Sequence, residues 1–248
     1  MELRSGLPKP PPLAHDQSIL LDFDGTLVEL VSRPDATTVD PDLHGLLARL
    51  HHRFAGRVAI VSGRSIPQLQ AMLGASARGL TLIGSHGAER LSRSGEWRGP
   101  PRLPTFAEVA RELAASFAGR NGVIIEEKSF GVAVHYRLAP AAEAEAQARV
   151  DRFARHHGLA VQEGKMMVEL RLPGHDKGTA IADLLQDPAF RGRKAFFLGD
   201  DLTDEPGFVA TAEHGGAGIL VGPARATAAQ YRLDGVGSVR RWLQEGAA

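Results

Sequence analysis

The stretch Leu20-Leu21-Asp22-Phe23-Asp24-Gly25-Thr26-Leu27 constrains this chain more than any other, because an apolar run ends there abruptly in two carboxylates and a glycine. Ser18 to Leu21 reads as a short buried strand, and the carboxylates follow where such a strand leaves a sheet. Open α/β sheets keep their chemistry at that edge. In extended backbone residues i and i+2 point the same way, so Asp22 and Asp24 are expected to face one small volume while Phe23 packs opposite. Gly25 permits a tight turn, and Thr26 adds a hydroxyl at its exit. Carboxylates this close repel unless a cation or a proton lies between them. The pattern therefore implies a divalent metal, a raised pKa on one carboxyl, or both, unless it is a solvated Asp-rich turn.

Three later stretches bear on that choice: Val58-Ala59-Ile60-Val61-Ser62-Gly63-Arg64, Asp176-Lys177-Gly178-Thr179 and Phe196-Phe197-Leu198-Gly199-Asp200-Asp201. The first and third are again hydrophobic strands ending in polar residues. Lys177 stands at the start of an apolar-periodic segment, Thr179 to Leu185, that reads as a helix. In chain order they offer a carboxylate pair, a hydroxyl, a cation and a second carboxylate pair. This set resembles the haloacid dehalogenase superfamily of phosphatases and mutases.

The remaining elements follow from periodicity. Pro41 to Leu50 has one apolar face, with Asp40 as N-cap and Pro41 at N1; Arg57 to Val61 is a strand; Ile66 to Leu73 is a helix stopped by Gly74; Leu80 to Ile83 is a third apolar strand. This alternation marks a parallel sheet with right-handed crossovers. From Thr105 the order becomes αββαββ: helices Thr105 to Ala118 and Pro140 to His157, strands Val123 to Lys128 and Gly131 to Arg137 joined at Ser129-Phe130, and strands Leu159 to Gln162 and Lys165 to Leu172 joined at Glu163-Gly164. The core resumes with Asp176 to Gln186, the strand Ala195 to Leu198, the acidic loop Gly199 to Glu205, a strand near Gly218 to Val221 and an amphipathic segment, Val236 to Leu243. The expected fold is α/β: a Rossmann-like parallel sheet core of residues 15–104 and 173–248, with an inserted αββαββ cap over 105–172. A Pro-rich leader, 1–14, is expected to take no part in the core.

At 248 residues the chain is long enough for such a core with an insert. Lys plus Arg and Asp plus Glu both number 29, so no net field favours nucleic acid or an anionic membrane. Cysteine is absent, which excludes disulfides, thiol nucleophiles and Cys-ligated zinc and fits a reducing, cytoplasmic setting. Neither a signal peptide nor a transmembrane run is expected. The histidine pairs His51-His52 and His156-His157 lie near helix C-termini without convincing metal spacing.

Glu126-Glu127-Lys128-Ser129-Phe130-Gly131-Val132-Ala133-Val134-His135-Tyr136-Arg137, Gly164-Lys165-Met166-Met167-Val168-Glu169-Leu170-Arg171 and Gly199-Asp200-Asp201-Leu202-Thr203-Asp204-Glu205 narrow the resemblance. Together they look like the trehalose-6-phosphate phosphatase family, over about Leu20 to Leu243. The resemblance implies Asp22 as nucleophile, Asp24 as general acid and base with its pKa raised by neighbouring carboxylates, and Ser62 and Lys177 as phosphate-oxygen partners. It implies Mg²⁺ on Asp22, the Asp24 backbone carbonyl, Asp200 and Asp204. It also implies that the cap closes over a disaccharide, with Glu126, Lys128 and Glu169 on glucose hydroxyls and His135, Arg137, Lys165, Arg64 and His86 as further substrate contacts. Trehalose 6-phosphate is the implied substrate, and functional coupling to a trehalose-6-phosphate synthase the implied context. Rival readings are a phosphatase for sucrose 6-phosphate or another sugar phosphate, a phosphohexomutase, and a sugar-phosphate-binding regulator without catalysis.

Overall fold

Short apolar runs bounded by turn residues become buried strands, and three of the described α-helices begin at a side-chain cap. The computed structural model describes residues 6–31, 33 and 36–248, and every statement of absence below concerns these residues. Strand β1 (Ser18–Leu21) is buried along its whole length. Helix α1 (Pro41–Arg53) starts at Asp40, whose carboxylate accepts from Leu43 N at 2.8 Å, and buries Leu43, Leu46, Leu47 and Leu50. Strand β2 (Val58–Val61) leads to α2 (Ile66–Leu73), opened by a reciprocal Ser65–Gln68 capping box. Strand β3 (Thr81–Gly84) is followed by a small antiparallel pair, β4 (Glu89–Leu91) and β5 (Trp97–Arg98), that the sequence pattern did not reveal.

The chain then enters a second compact unit, Pro100–His175, and returns to the first at Asp176. In the second unit α3 (Thr105–Ser116) precedes β6 (Ile124–Lys128) and β7 (Gly131–His135), and α4 (Glu143–His157) precedes β8 (Ala160–Gly164) and β9 (Met167–Arg171). The antiparallel order is β6-β7-β9-β8. Val132, Val134, Val168 and Leu170 pack with Phe106, Val109 and Leu113 of α3 and Val150 and Phe153 of α4, so both helices lie on one face. The pleat puts Glu126, Lys128, His135, Glu169 and Arg171 on the other.

Back in the first unit come α5 (Lys177–Gln186), β10 (Ala195–Gly199), α6 (Glu205–Glu213), β11 (Ala217–Val221), a short β12 (Tyr231–Leu233) and α7 (Val236–Gly246). The eight strands run β12-β11-β10-β1-β2-β3-β4-β5, all neighbours parallel except at β4 and β5. One face carries α1, α2 and α7 through Leu46, Leu69 and Trp242; the other carries α5 and α6 through Ile181, Leu184 and Phe208. Helices on both faces explain why the central strands are continuous apolar runs. Register aligns Leu21 of β1 with Leu198 of β10 and Ile60 of β2, so all three strands release their polar residues at one edge.

Two expectations are corrected. The turn between β8 and β9 is at Lys165-Met166, not Glu163-Gly164, because Gly164 pairs with Met167 to keep Val168 and Leu170 on the covered face. Met166 takes the left-handed backbone (φ 61°) to close it, and Lys165 leaves the strand for the turn. The leader does take part in the core. Trp242 Nε1 donates to Pro11 O at 2.9 Å, Arg232 N donates to Pro8 O at 3.0 Å, and Leu13 and Leu7 pack against the two core faces. Prolines lack N–H groups but keep their carbonyls, which is what this strap offers. Deleting residues 1–13 orphans the Trp242 N–H and uncovers apolar surface, a loss of about 2–3 kcal/mol, and lowers Tm by about 5–10 °C. Thermal denaturation followed by tryptophan fluorescence checks this, and an unchanged Tm refutes it.

Candidate active site

The edge where β1, β2 and β10 end gathers residues far apart in sequence. Asp22 N continues the ladder by donating to Leu198 O at 2.9 Å, which fixes Asp22 at the strand tip. Gly25 (φ 81°) turns the chain, and a Cβ there would overlap the Asp200 carboxylate, so close approach as well as backbone conformation demands glycine. Lys177 is the first residue of α5, whose N-cap Asp176 accepts from Thr179 N at 2.8 Å. Its Nζ donates to Asp22 Oδ1 and to Asp204 Oδ1, each at 2.7 Å, and all three side chains are buried. The second oxygen of Asp204 accepts from Asp201 N at 2.9 Å. Pro206 sits in the first turn of α6, where a missing N–H costs nothing.

One ammonium does not balance this group. Asp22, Asp200 and Asp204 each offer an oxygen within 4.8 Å of the others, and Asp22 Oδ2 is buried with no hydrogen-bond partner. Burial drives the Asp22 carboxyl well above its ordinary pKa; Lys177 opposes this, while Asp204 and Asp200 add to it. Burial alone would push the Lys177 ammonium down, but the Asp204 and Asp22 carboxylates outweigh it and hold its pKa above the ordinary lysine value. An all-oxygen donor set with an orphaned carboxylate oxygen and excess negative charge fits a hard divalent cation such as Mg²⁺.

Asp24 is placed differently from expectation. Its carboxylate is not part of that trio but lies in the fork of Arg64, with Arg64 Nε to Oδ2 at 2.6 Å and Nη2 to Oδ1 at 2.7 Å. Arg64 also donates to the Thr37 hydroxyl at 2.8 Å. The reason is local: β1 ends at Leu21, and Leu27 N and Val28 N both fold back onto Phe23 O, so strand alternation does not extend to Asp24. The neighbour of the Asp24 carboxylate is thus a guanidinium rather than the carboxylates expected, and the carboxyl that burial raises is Asp22. Ser62 is buried at the end of β2, where its Oγ accepts from Arg64 N at 3.1 Å. His86 follows β3, donates its backbone N–H to Ser62 O at 3.0 Å and lays its ring beside Gly63.

The remaining candidates belong to the second unit. Lys128 and Glu169 form a buried ion pair, and Glu126 meets His135 Nε2 at 2.8 Å. Arg137 Nη2 donates to Lys165 O at 3.0 Å, at the β8–β9 turn. Arg171 donates to Gln162 Oε1 at 3.1 Å and to His175 O, which adds two polar residues that were not candidates. Cross-strand register, with Gln162 opposite Glu169 and Ala160 opposite Arg171, was the signal that could have found them. Thr37 and Glu89, partners of site loops in the first unit, carry no motif and were invisible.

A family model described as trehalose-phosphatase matches residues 20–237, which takes in the three strand-end motifs and the helix start at Lys177. The chain belongs to the trehalose-phosphatase family. A relative from Escherichia coli, described as trehalose-6-phosphate phosphatase, is 35% identical over 240 residues, covering 96% of this chain and 89% of its own. A probable trehalose-phosphate phosphatase from Sinorhizobium fredii is 38% identical over 208 residues, covering 83% and 78%. Among solved structures, a trehalose-6-phosphate phosphatase related protein aligns with a TM-score of 0.76 at 28% identity, covering 92% of this chain and 96% of that one. A haloacid dehalogenase-like hydrolase from Bacteroides thetaiotaomicron, at 18% identity and a TM-score of 0.63 with 92% and 98% covered, shares the fold. This trehalose-phosphatase family member is therefore a phosphatase with a haloacid dehalogenase-like fold.

The raised Asp22 carboxyl has a measurable consequence. Its contribution to stability is present below the ordinary carboxylate pKa and is lost as pH rises through the raised folded value. With chelator present, Asp22→Asn is expected to melt higher than the parent at pH 7.5, by about the 2–4 °C that each 1 kcal/mol moves a chain of this size, and level with it near pH 4. Scanning calorimetry at both values decides; a variant less stable at pH 7.5 contradicts the electrostatic account.

Proposed function

We propose that this member of the trehalose-phosphatase family hydrolyses trehalose 6-phosphate to trehalose and phosphate, with Mg²⁺ and an aspartyl-phosphate on Asp22. The observation that carries the reading is the divided state of Asp22: one oxygen tied to Lys177, the other buried and unpartnered beside Asp200 and Asp204. A carboxylate so held is aimed, desolvated and unable to turn away, as a nucleophile must be. Asp22, the Asp24 backbone carbonyl, Asp200 and Asp204 would hold Mg²⁺, which would supply charge neutralisation at the phosphoryl oxygens.

In the first step an Asp22 oxygen bonds to phosphorus as the bond from phosphorus to the sugar oxygen breaks, and the leaving oxygen takes the proton of the Asp24 carboxyl. In the second, water gives a proton to the Asp24 carboxylate while its oxygen bonds to phosphorus, and the bond to Asp22 breaks. Lys177 and the Ser62 hydroxyl stabilise charge on the phosphoryl oxygens, and Arg64 orients Asp24. In this reading Glu126, Lys128 and Glu169 hold glucose hydroxyls, with His135, Arg137, Lys165, His86 and Arg64 as further contacts. Carboxylates and an ammonium that pair with one another before the sugar arrives are groups able to accept from and donate to adjacent hydroxyls. The relatives' descriptions support the sugar. No described helix is long and apolar enough to cross a membrane. A cytoplasmic setting and coupling to a synthase complete the proposal.

Phosphate release from trehalose 6-phosphate, sucrose 6-phosphate, glucose 6-phosphate and an aryl phosphate, each with Mg²⁺ and with chelator, tests it. The expected result is Mg²⁺-dependent preference for trehalose 6-phosphate by about 100-fold, roughly 2.7 kcal/mol. Turnover of sucrose 6-phosphate or of the aryl ester alone overturns the sugar assignment and leaves the phosphatase; phosphoryl exchange between hexose positions identifies a mutase. A second test concerns the nucleophile. Asp22→Asn is expected to lower kcat by about 10⁴-fold or more, and parent-like release would end the covalent mechanism.

A further inference from the structure

The loop after β3 holds an arrangement that the catalytic roles above leave unused. Ser85 (φ 49°) and His86 (φ 55°) are consecutive non-glycine residues in the left-handed region, followed by Gly87 at φ 101°. Such backbone is disfavoured for residues with a Cβ and persists only where neighbours enforce it. The enforcing group is Glu89, a buried carboxylate at the start of β4. Its Oε1 accepts from the Ser85 hydroxyl at 2.8 Å and from Ile66 N, the first residue of α2, at 3.0 Å, and its Oε2 accepts from Trp97 Nε1 at 3.3 Å. Ser85 N in turn donates to Arg64 O at 2.8 Å, and His86 N to Ser62 O at 3.0 Å.

The twist so enforced places the His86 ring hard against Gly63. A Cβ at position 63 would lie 2.5 Å from the ring atoms Cε1 and Nε2, so ring and glycine occupy complementary space. Gly87 closes on Asp176 O in the same way, beside the residue that caps α5 and precedes Lys177. One carboxylate therefore ties together the β3 loop, the N-terminus of α2 and the Ser62–Gly63–Arg64 turn. That turn carries the Ser62 hydroxyl and the guanidinium that grips Asp24.

We infer that Glu89 is a positioning residue for phosphoryl transfer, acting through Ser85 and His86 to hold the Ser62–Gly63–Arg64 turn in register with Asp22 and Asp24. A carboxylate suits the task because two lone-pair-bearing oxygens can take three converging N–H and O–H donors and offer no proton of their own. Its charge also lies at the positive end of α2. The inference rests on the phosphatase reading of this site but not on the identity of the sugar.

The test is a double-variant cycle of Glu89→Gln and His86→Ala, with Gly63→Ala as a separate arm. It is read as kcat and KM on whichever ester the parent hydrolyses fastest, or as inorganic phosphate affinity by calorimetry should no ester turn over. Failure of the trehalose 6-phosphate assignment thus changes the substrate and not the cycle. Glu89→Gln is expected to lower kcat/KM by about 10–100-fold, with the same division between kcat and KM as His86→Ala, while remaining folded at the assay temperature. The double variant is expected to be no worse than His86→Ala alone, and Gly63→Ala to reproduce the loss by displacing the ring. Should Glu89→Gln fail to fold, Ser85→Ala, which removes one donor and leaves the carboxylate, takes its place in the same cycle. Losses that multiply in the double variant, or parent-like kcat/KM in Glu89→Gln or its substitute, overturn the inference.

Discussion

A buried ammonium shared by two buried carboxylates is the interaction on which the first unit depends. Lys177 reaches the tip of β1 and the start of α6 from the first turn of α5, so three elements converge on a single nitrogen. Coulomb attraction in dry surroundings is strong, yet desolvating such charges costs as much or more. The group is therefore better understood as a device for specificity than as a source of stability. It fixes where a carboxylate oxygen points, and it leaves a deficit of positive charge that a divalent cation can meet.

The same accounting applies to the second unit on a smaller scale. Its covered face is aliphatic and fixes register, while its uncovered face sets Lys128 against Glu169 and His135 against Glu126. Gly131 and Ala133, the small residues of β7 on that face, keep the centre of the sheet low between these pairs. Nothing in the packing of the helices requires those charges.

Much of this was legible in the sequence because the central strands are short and largely apolar, so each polar residue that follows is conspicuous. Asp22, Ser62 and Asp200 were singled out that way, Lys177 by its place at a helix start, and the αββαββ order and its two faces by periodicity. What escaped notice has physical reasons. Strands β4, β5 and β12 are two or three residues long and too short to show a period. The turn at Lys165-Met166 uses a left-handed methionine where a turn signal would ordinarily be glycine or asparagine. The grip of Arg64 on Asp24 depends on the chain folding back after Phe23, which alternation along a strand does not encode. The leader was misjudged because prolines suggest exclusion from a core, whereas here their carbonyls receive Trp242 and Arg232.

The central position of β1 has a further consequence for how the chain is made. Its neighbour β2 follows closely in sequence, but the opposite edge of β1 pairs with β10, which is synthesised only after the whole second unit. At about 5–20 residues per second that interval is roughly 10–35 s, during which a largely apolar strand presents open backbone groups. Pro100–His175 has its own hydrophobic cluster and can collapse in the meantime. A nascent chain of this protein thus carries its central strand half-paired, with its future reaction centre unformed, through an interval that the insertion of Pro100–His175 lengthens by nearly half of the whole.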